Sequence, residues 1–225
     1  MIDRSPDFEN LGKICFVIKD NPAKIEIKGT GFFISTSGIA LTAWHVIKGL
    51  NQQAIPIRFE KRSSQDERPQ AIITQASVKC YSEKYDLAVI SVKDIMLTDG
   101  DIIPITSDFL PGDEVLVTGY QEQDYMLGLN SCEMRVHPDK AIKSIMLEGE
   151  TEYIKRIVLV PKDINDVILN GTSGGPVFNK ETKSIIGVVQ GTSGLQGLKG
   201  NKGLGYALAF VSLPRELDEL TQRLS

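Results

Sequence analysis

A serine hydroxyl is a poor nucleophile at neutral pH. It needs a base to take its proton, a third group to orient that base, and donors for the charge that develops on the attacked oxygen. The 225-residue chain holds each residue type in patterned surroundings. Ser173 is central in LNGTSGGPVF, residues 169–178, whose glycines and proline suit neither a helix nor an ordinary strand. The bland reading is a tight turn. The sharper one is that a turn through Gly171-Thr172-Ser173-Gly174-Gly175-Pro176 aims the amides of Gly171 and Ser173 at one spot, with Gly174 and Gly175 keeping that space clear. At average residue usage the pattern G-x-S-G-G-P arises by chance in about 3 of 10,000 chains this long.

Only two histidines exist, His45 and His137. His45 lies in IALTAWHVIKG, where a β-like run gives way to a helical turn, so its side chain is expected at a strand end. His137, in the polar stretch MRVHPDK, reads as a surface residue. Asp86, in EKYDLAVISV, precedes the apolar run Leu87-Ala88-Val89-Ile90. Taken alone it is either a strand-start turn residue or a carboxylate held at a barrel rim. Asp66, Asp94 and Asp124 have no flanking apolar run to bury them.

The elements that must position these groups are short and β-rich: KICFVIK, KIEIK, GFFIS, GIALTAW, QAIITQASVKC, DLAVISVK, EVLVTGY, AIKSIMLE, RIVLV, SIIGVVQ and GLGYALAFV. Many strands separated by Gly, Pro, Asn and Asp argue for an antiparallel barrel or sandwich. The one convincing helix is C-terminal, with Ser212 as cap, Pro214 in its first turn, and Leu213, Leu217, Leu220 and Leu224 on one face. Residues 97–113, interrupted by Gly100, Pro104, Pro111 and Gly112, suit a crossing between two halves. The Gly-rich stretch 191–205 reads as a surface loop, and RFEKRSSQDER, 58–68, as a solvated loop of mixed charge.

A net charge of −4, from 25 basic and 29 acidic residues, gives no support to nucleic acid or an anionic membrane as partner. No run approaches the roughly 18 apolar residues of a membrane span, and the acidic N-terminus lacks a signal-peptide core. Cys15, Cys80 and Cys132 lack metal-ligand spacing and are expected as free core thiols. The expectation is a cytoplasmic chain with no metal and no cofactor.

TGFFIS…GIALTAWHVI, YDLAVI and NGTSGGPV resemble, in order, the His, Asp and Ser segments of chymotrypsin-like (trypsin-like) serine proteases. The resemblance is closest to the HtrA/Deg type, which also has G-x-G-F before the histidine and G-x-G-[FY]-A near the end, here Gly203-Leu204-Gly205-Tyr206-Ala207. It implies an all-β fold of two six-stranded antiparallel barrels in a single protease domain. The first barrel would span about 10–97, the crossing 98–112, the second barrel 113–210 and the C-terminal helix 212–224. It implies Ser173 as nucleophile, His45 as base and then acid, Asp86 as orienter, and the amides of Gly171 and Ser173 as the oxyanion hole, the roles of the worked triad.

The resemblance also implies a peptide substrate bound as an added strand along Val189-Gln190-Gly191, with a specificity pocket near Val167–Asn170 and Gly205–Leu208. Val167 at the pocket floor points to an aliphatic residue before the cut. Thr172 stands where digestive members have an aspartate that pairs with a freed N-terminus, so activation by that cleavage is not expected. Trp44, unusual before the histidine, either packs in the first barrel or narrows the cleft. No PDZ-like domain follows, which leaves a stand-alone protease or the protease module of a larger chain with a sensor or regulatory domain. The competing reading is a latched or inactive binding module on the same fold.

Overall fold

The computed structural model describes residues 7, 10–11, 15–19, 27–61, 70–95, 97–123, 126–139, 141–146, 153–163, 171–193, 204–209, 218 and 222. Its first half is a closed six-stranded barrel. β1 (Cys15–Lys19), β2 (Ile27–Phe33), β3 (Ile39–Thr42), β4 (Ile55–Lys61), β5 (Gln70–Ser82) and β6 (Leu87–Val92) follow one another around it in the order β1-β2-β3-β6-β5-β4. All pairings are antiparallel. Closure leaves no open edge; Phe16, Phe33, Ile57 and Ile90 share one face of the sheet and Phe32 and Leu41 the other, all almost fully buried. Phe33 meets Phe16 at a tilt, with centroids 4.8 Å apart, and Phe59 edge to face, at 6.0 Å.

Two expected runs, KIEIK and GFFIS, prove to be one strand. Gly31 does not break β2 but makes room in it: a Cβ there would lie 2.4 Å from the Phe16 ring. The mixed-charge stretch from Arg58 is not wholly a loop, because β4 runs through it to Lys61 and pairs with both β1 and β5. Its buried Ile55, Ile57 and Phe59 alternate with less buried Pro56 and Arg58, the period of a half-buried strand.

The second half is a seven-stranded sheet in which six strands form the expected second barrel and a seventh is appended. It comprises β7 (Glu114–Gln123), β8 (Met126–Val136), β9 (Ile142–Met146), β10 (Tyr153–Pro161), β11 (Pro176–Asn179), β12 (Ser184–Ser193) and β13 (Leu204–Ala209). The order is β13-β12-β11-β7-β8-β10-β9, and β13 also pairs with β10. That pairing curls the sheet back on itself, so six strands follow one another around and β9 attaches to β10. β8 is a strand the sequence reading missed. Its buried Cys132, Met134 and Val136 alternate with more exposed Ser131, Glu133 and Arg135.

The inner face of this sheet holds Val115, Val117, Met134, Ile157, Leu159 and Val177, while Leu116, Tyr120, Phe178, Ile185 and Val188 pack with the first barrel's core. The two halves therefore share apolar surface. The connecting segment runs through a 3-10 turn, Asp99–Asp101, capped by Thr98. It then joins β12 by a parallel bridge, Ile105 to Ile185. Asp218 and Gln222 are the only described residues of the expected C-terminal helix and both are helical. Among the described residues no helix is long and apolar enough to cross a membrane.

Candidate active site

β3 and β6 run antiparallel with Thr42 opposite Ala88, so the chain leaving β3 meets the chain entering β6. A single helical turn, α1 (Trp44–Ile47), follows β3 and carries His45. Asp86 ends the turn before β6 with φ +51°, a left-handed conformation that aspartate tolerates better than most residues. Both carboxylate oxygens go to one residue. Oδ1 accepts the His45 backbone N–H at 2.8 Å, and Oδ2 lies 2.7 Å from His45 Nδ1. Trp44 N–H adds a bond of 3.2 Å to the Asp86 carbonyl. An ionised carboxylate only accepts, so it selects the tautomer with hydrogen on Nδ1 and leaves a lone pair on Nε2. The Asp86 side chain is 21% exposed and that of His45 46%, which keeps the imidazole accessible to a substrate.

The serine loop reaches this corner from the second half. Gly171 and Gly174 have φ +94° and +84°, values a side chain would strain. A Cβ on Gly174 would lie 2.2 Å from the Thr30 carbonyl, 2.3 Å from Thr42 Oγ1 and 2.9 Å from Ala43 N. The residue after Ser173 is thus pressed against the residue two before His45. The Gly174 N–H donates to the Val189 carbonyl at 2.7 Å and the Gly175 N–H to that of Thr172 at 2.9 Å. By contrast, the amides of Gly171 and Ser173 donate to no partner among the described residues. Two unused donors flanking the serine are what an oxyanion site requires. No hydrogen bond joins Ser173 to His45 among the described residues. Such a bond is commonly long until substrate closes the site.

The expected substrate residues divide. Val167 and Asn170 lie outside the described residues. Gly205 sits in β13, opposite Leu159 and Thr192. Val189 is a correction to the expected edge: it is fully buried, and its N–H and carbonyl are taken by Gly175 and Gly174 at 2.9 and 2.7 Å. Its backbone is spent on the serine loop and cannot pair with a peptide. Gln190 bulges out of the β12–β13 register. Its Nε2 donates to the Tyr85 carbonyl, beside Asp86, and its buried Oε1 has no partner among the described residues. Around Gly191 a Cβ would meet nothing within 4 Å among the described residues.

Trp44 takes the first of its two expected roles. It is 4% exposed and stacks flat on Tyr81, with centroids 3.8 Å apart and planes 5° from parallel. Among the described residues no three His, Cys, Asp or Glu side chains gather to hold a metal ion. The sequence gives Thr30 no role, its signal being faint, a hydroxyl between two glycines in GTGFF, and it does not show that Gln190, expected along the substrate edge, is tied to Tyr85.

The double β-fold with a His–Asp pair facing a glycine-rich serine loop defines a class, the trypsin-like serine peptidase domains. Residues 29–188 match the model of the trypsin-like peptidase domain, well over half of the chain, and the chain belongs to that family. Two Danio rerio proteins, the serine proteases HTRA1B and HTRA1A, are each 23% identical to it over 199 and 201 residues. Those stretches are 87% and 88% of this chain and 35% of each relative, so the chain spans about a third of the length of the curated relatives it matches. Among solved structures, the Rv3671c protease in its inactive form superposes with a TM-score of 0.65 at 18% identity, over 95% of this chain and 92% of that one. A serine endoprotease from Yersinia pestis gives 0.60 at 21% identity, over 97% and 67%. At these identities the likeness to solved structures speaks for the fold.

Proposed function

We propose that the chain is a serine endopeptidase that cleaves peptide bonds through an acyl-enzyme, with Ser173, His45 and Asp86 as its triad. The observation that carries this reading is the double grip of Asp86 on His45, at 2.8 and 2.7 Å, with the serine loop pressed against Ala43. Ser173 Oγ attacks the scissile carbonyl carbon while His45 Nε2 takes its proton. The carbonyl oxygen becomes an oxyanion and is met by the N–H groups of Gly171 and Ser173. His45 returns the proton to the leaving amine, the C–N bond breaks, and an ester on Ser173 remains. Water activated by the same imidazole hydrolyses it. Asp86 stays ionised throughout, fixing the tautomer and balancing the imidazolium.

The substrate backbone would lie as an extended strand beside Gln190 and Gly191. β11 ends opposite Val188, so the remainder of β12 on that edge has no described strand beside it. A cytoplasmic home is part of the same proposal, supported by three cysteines that form no disulfide among the described residues. Burial raises the Cys15 thiol pKa far above its usual range and pushes Cys80 up to about 11, which suits inert structural thiols. Recovery of the chain in an oxidising compartment with its cysteines disulfide-linked would contradict that part.

A fluorophosphonate probe tests the function directly. It should label the folded protein at Ser173, shown by peptide mapping, and leave Ser173→Ala unlabelled. Folded protein that takes no label and hydrolyses no peptide from a diverse library sinks the reading.

A further inference from the structure

β2 carries a buried threonine whose every polar group is spent near the serine loop. Thr30 is fully buried. Its N–H donates to the Ser173 carbonyl, its Oγ1 to the Gly171 carbonyl, each at 2.8 Å. The same Oγ1 accepts the Tyr120 N–H, and the Thr30 carbonyl accepts from Thr42 Oγ1, both again at 2.8 Å. Tyr120 already donates to one lone pair, so the hydroxyl hydrogen is committed to Gly171.

The bonds from Thr30 to the loop fall on two alternate peptide planes. A peptide plane carries the carbonyl of one residue and the N–H of the next. The plane from Gly171 to Thr172 is fixed by Thr30 Oγ1. The plane from Ser173 to Gly174 is fixed at both ends, by Thr30 N–H and by the Val189 carbonyl. Between them lies the plane that carries the Ser173 N–H, held by the bond from Gly175 to the Thr172 carbonyl. Thr30 therefore clamps the planes on either side of the Ser173 amide and the carbonyl of the residue that supplies the second amide. Its flanking glycine allows the approach: a Cβ on Gly29 would lie 2.7 Å from the Ser173 carbonyl.

We infer that Thr30 is the positioning residue of the oxyanion site, reaching from the first barrel to hold the Ser173 amide toward the reacting carbonyl and to anchor, by its carbonyl, the Gly171 residue that supplies the second amide. The inference rests on the proposed serine peptidase reading and assigns that site a residue that touches no substrate. Because the aim of the donors matters to the tetrahedral species more than to bound substrate, loss of the clamp lowers kcat and leaves KM almost unchanged.

The experiment compares Thr30→Val, which keeps the shape and deletes the hydroxyl, with Thr30→Ser, which restores it. Valine should lower kcat at least about tenfold with KM within about twofold, and weaken binding of a peptide boronate by the same factor as kcat/KM. Serine should recover most of the loss. Hydrogen exchange of a peptide spanning 171–175, read in the same samples, should be faster in the valine variant than in the serine variant. A folded valine variant with kcat within twofold of the parent and unchanged exchange overturns the inference, as does an equal loss in both variants. If valine prevents folding, Thr30→Cys replaces it, because a thiol is a poor donor of similar size to the serine hydroxyl; equal kcat and exchange for Cys and Ser then overturns it. The exchange readout needs no turnover. A parent protein that never reacts, with exchange still governed by the hydroxyl, rejects the peptidase reading and keeps the clamp.

Discussion

Asp86 sits in a backbone conformation that asparagine tolerates as well as aspartate, which makes one substitution unusually informative. Asp86→Asn should leave the turn and the melting temperature nearly unchanged while turnover falls on the order of 10⁴-fold, because an amide can present an N–H to Nδ1 and invert the tautomer. Near-parental kcat in that variant would mean that His45 is oriented by something else. Gly174→Ala is the opposite kind of change. Its Cβ meets Thr30 O at 2.2 Å and Thr42 Oγ1 at 2.3 Å in a positive-φ conformation, so stability should fall by roughly 3 kcal/mol or more, read by urea unfolding, and activity with it. At this scale the sequence was legible wherever chemistry dictates residue type. His45, Asp86 and Ser173 stood out because few other residues do that work. Thr30 did not, since its importance lies in a partner more than a hundred positions away, Gly171, and the same distance hid the tie of Gln190, expected only along the substrate edge, to Tyr85.

Strands were legible as elements where apolar runs were unbroken, as in Leu87–Val92, and harder to read where polar or charged residues alternate with buried ones, as in β4 and β8. Alternation in strands this short is diluted by Lys, Arg and Glu, which extend along the surface while their neighbours face inward. Pairing register lay beyond the sequence too, since the bulges at Val78/Cys80 and Val189/Gly191 shift it without any marker residue common to both. The first of these bulges sits just before Tyr81, whose flat stack on Trp44 braces the helical turn that bears His45. Tyr81 is 47% exposed, so its ring contributes through the stack more than through burial. Tyr81→Ala should remove about 0.5–1.5 kcal/mol beyond the area term. Differential scanning calorimetry should show a melting temperature lower by about 2–6 °C; an unchanged value would mean the stack contributes nothing net.

At the scale of the whole molecule, one cluster of charged side chains among the described residues links four segments of the second half. Lys162 and Lys180 each reach both Glu114 and Glu133, while Arg135 reaches Glu114. The hydrogen bond from Lys162 is the main cause holding both glutamates below their usual pKa, and the bond to Glu114 is the main cause raising that of Lys162. A depressed carboxylate stabilises the fold above its unfolded pKa of 4.5 and loses that contribution as pH falls through the folded value. A raised ammonium stabilises below 10.5 and loses its share as pH rises through the folded value. Urea midpoints measured across pH should therefore decline on both sides of a neutral plateau, less so in high salt, because these groups are solvent-screened. Lys162→Met should lower the plateau and make the acid limb shallower; a parallel shift of the whole curve would remove the cluster from the account.

The contact between Thr30 and the serine loop has a consequence in time as well as in space. The imidazole and its carboxylate are complete within the first barrel, made from the earlier part of the chain, whereas the nucleophile lies in the later part, on a loop held in part by the first barrel's wall. A half-made chain leaving the ribosome would thus carry a base with nothing to deprotonate, and a nicked second half would carry a hydroxyl with no base. On the reading proposed here, cleaving power arises only when both halves have folded and met, which spares the nascent chain and its neighbours from a blade that is still being assembled.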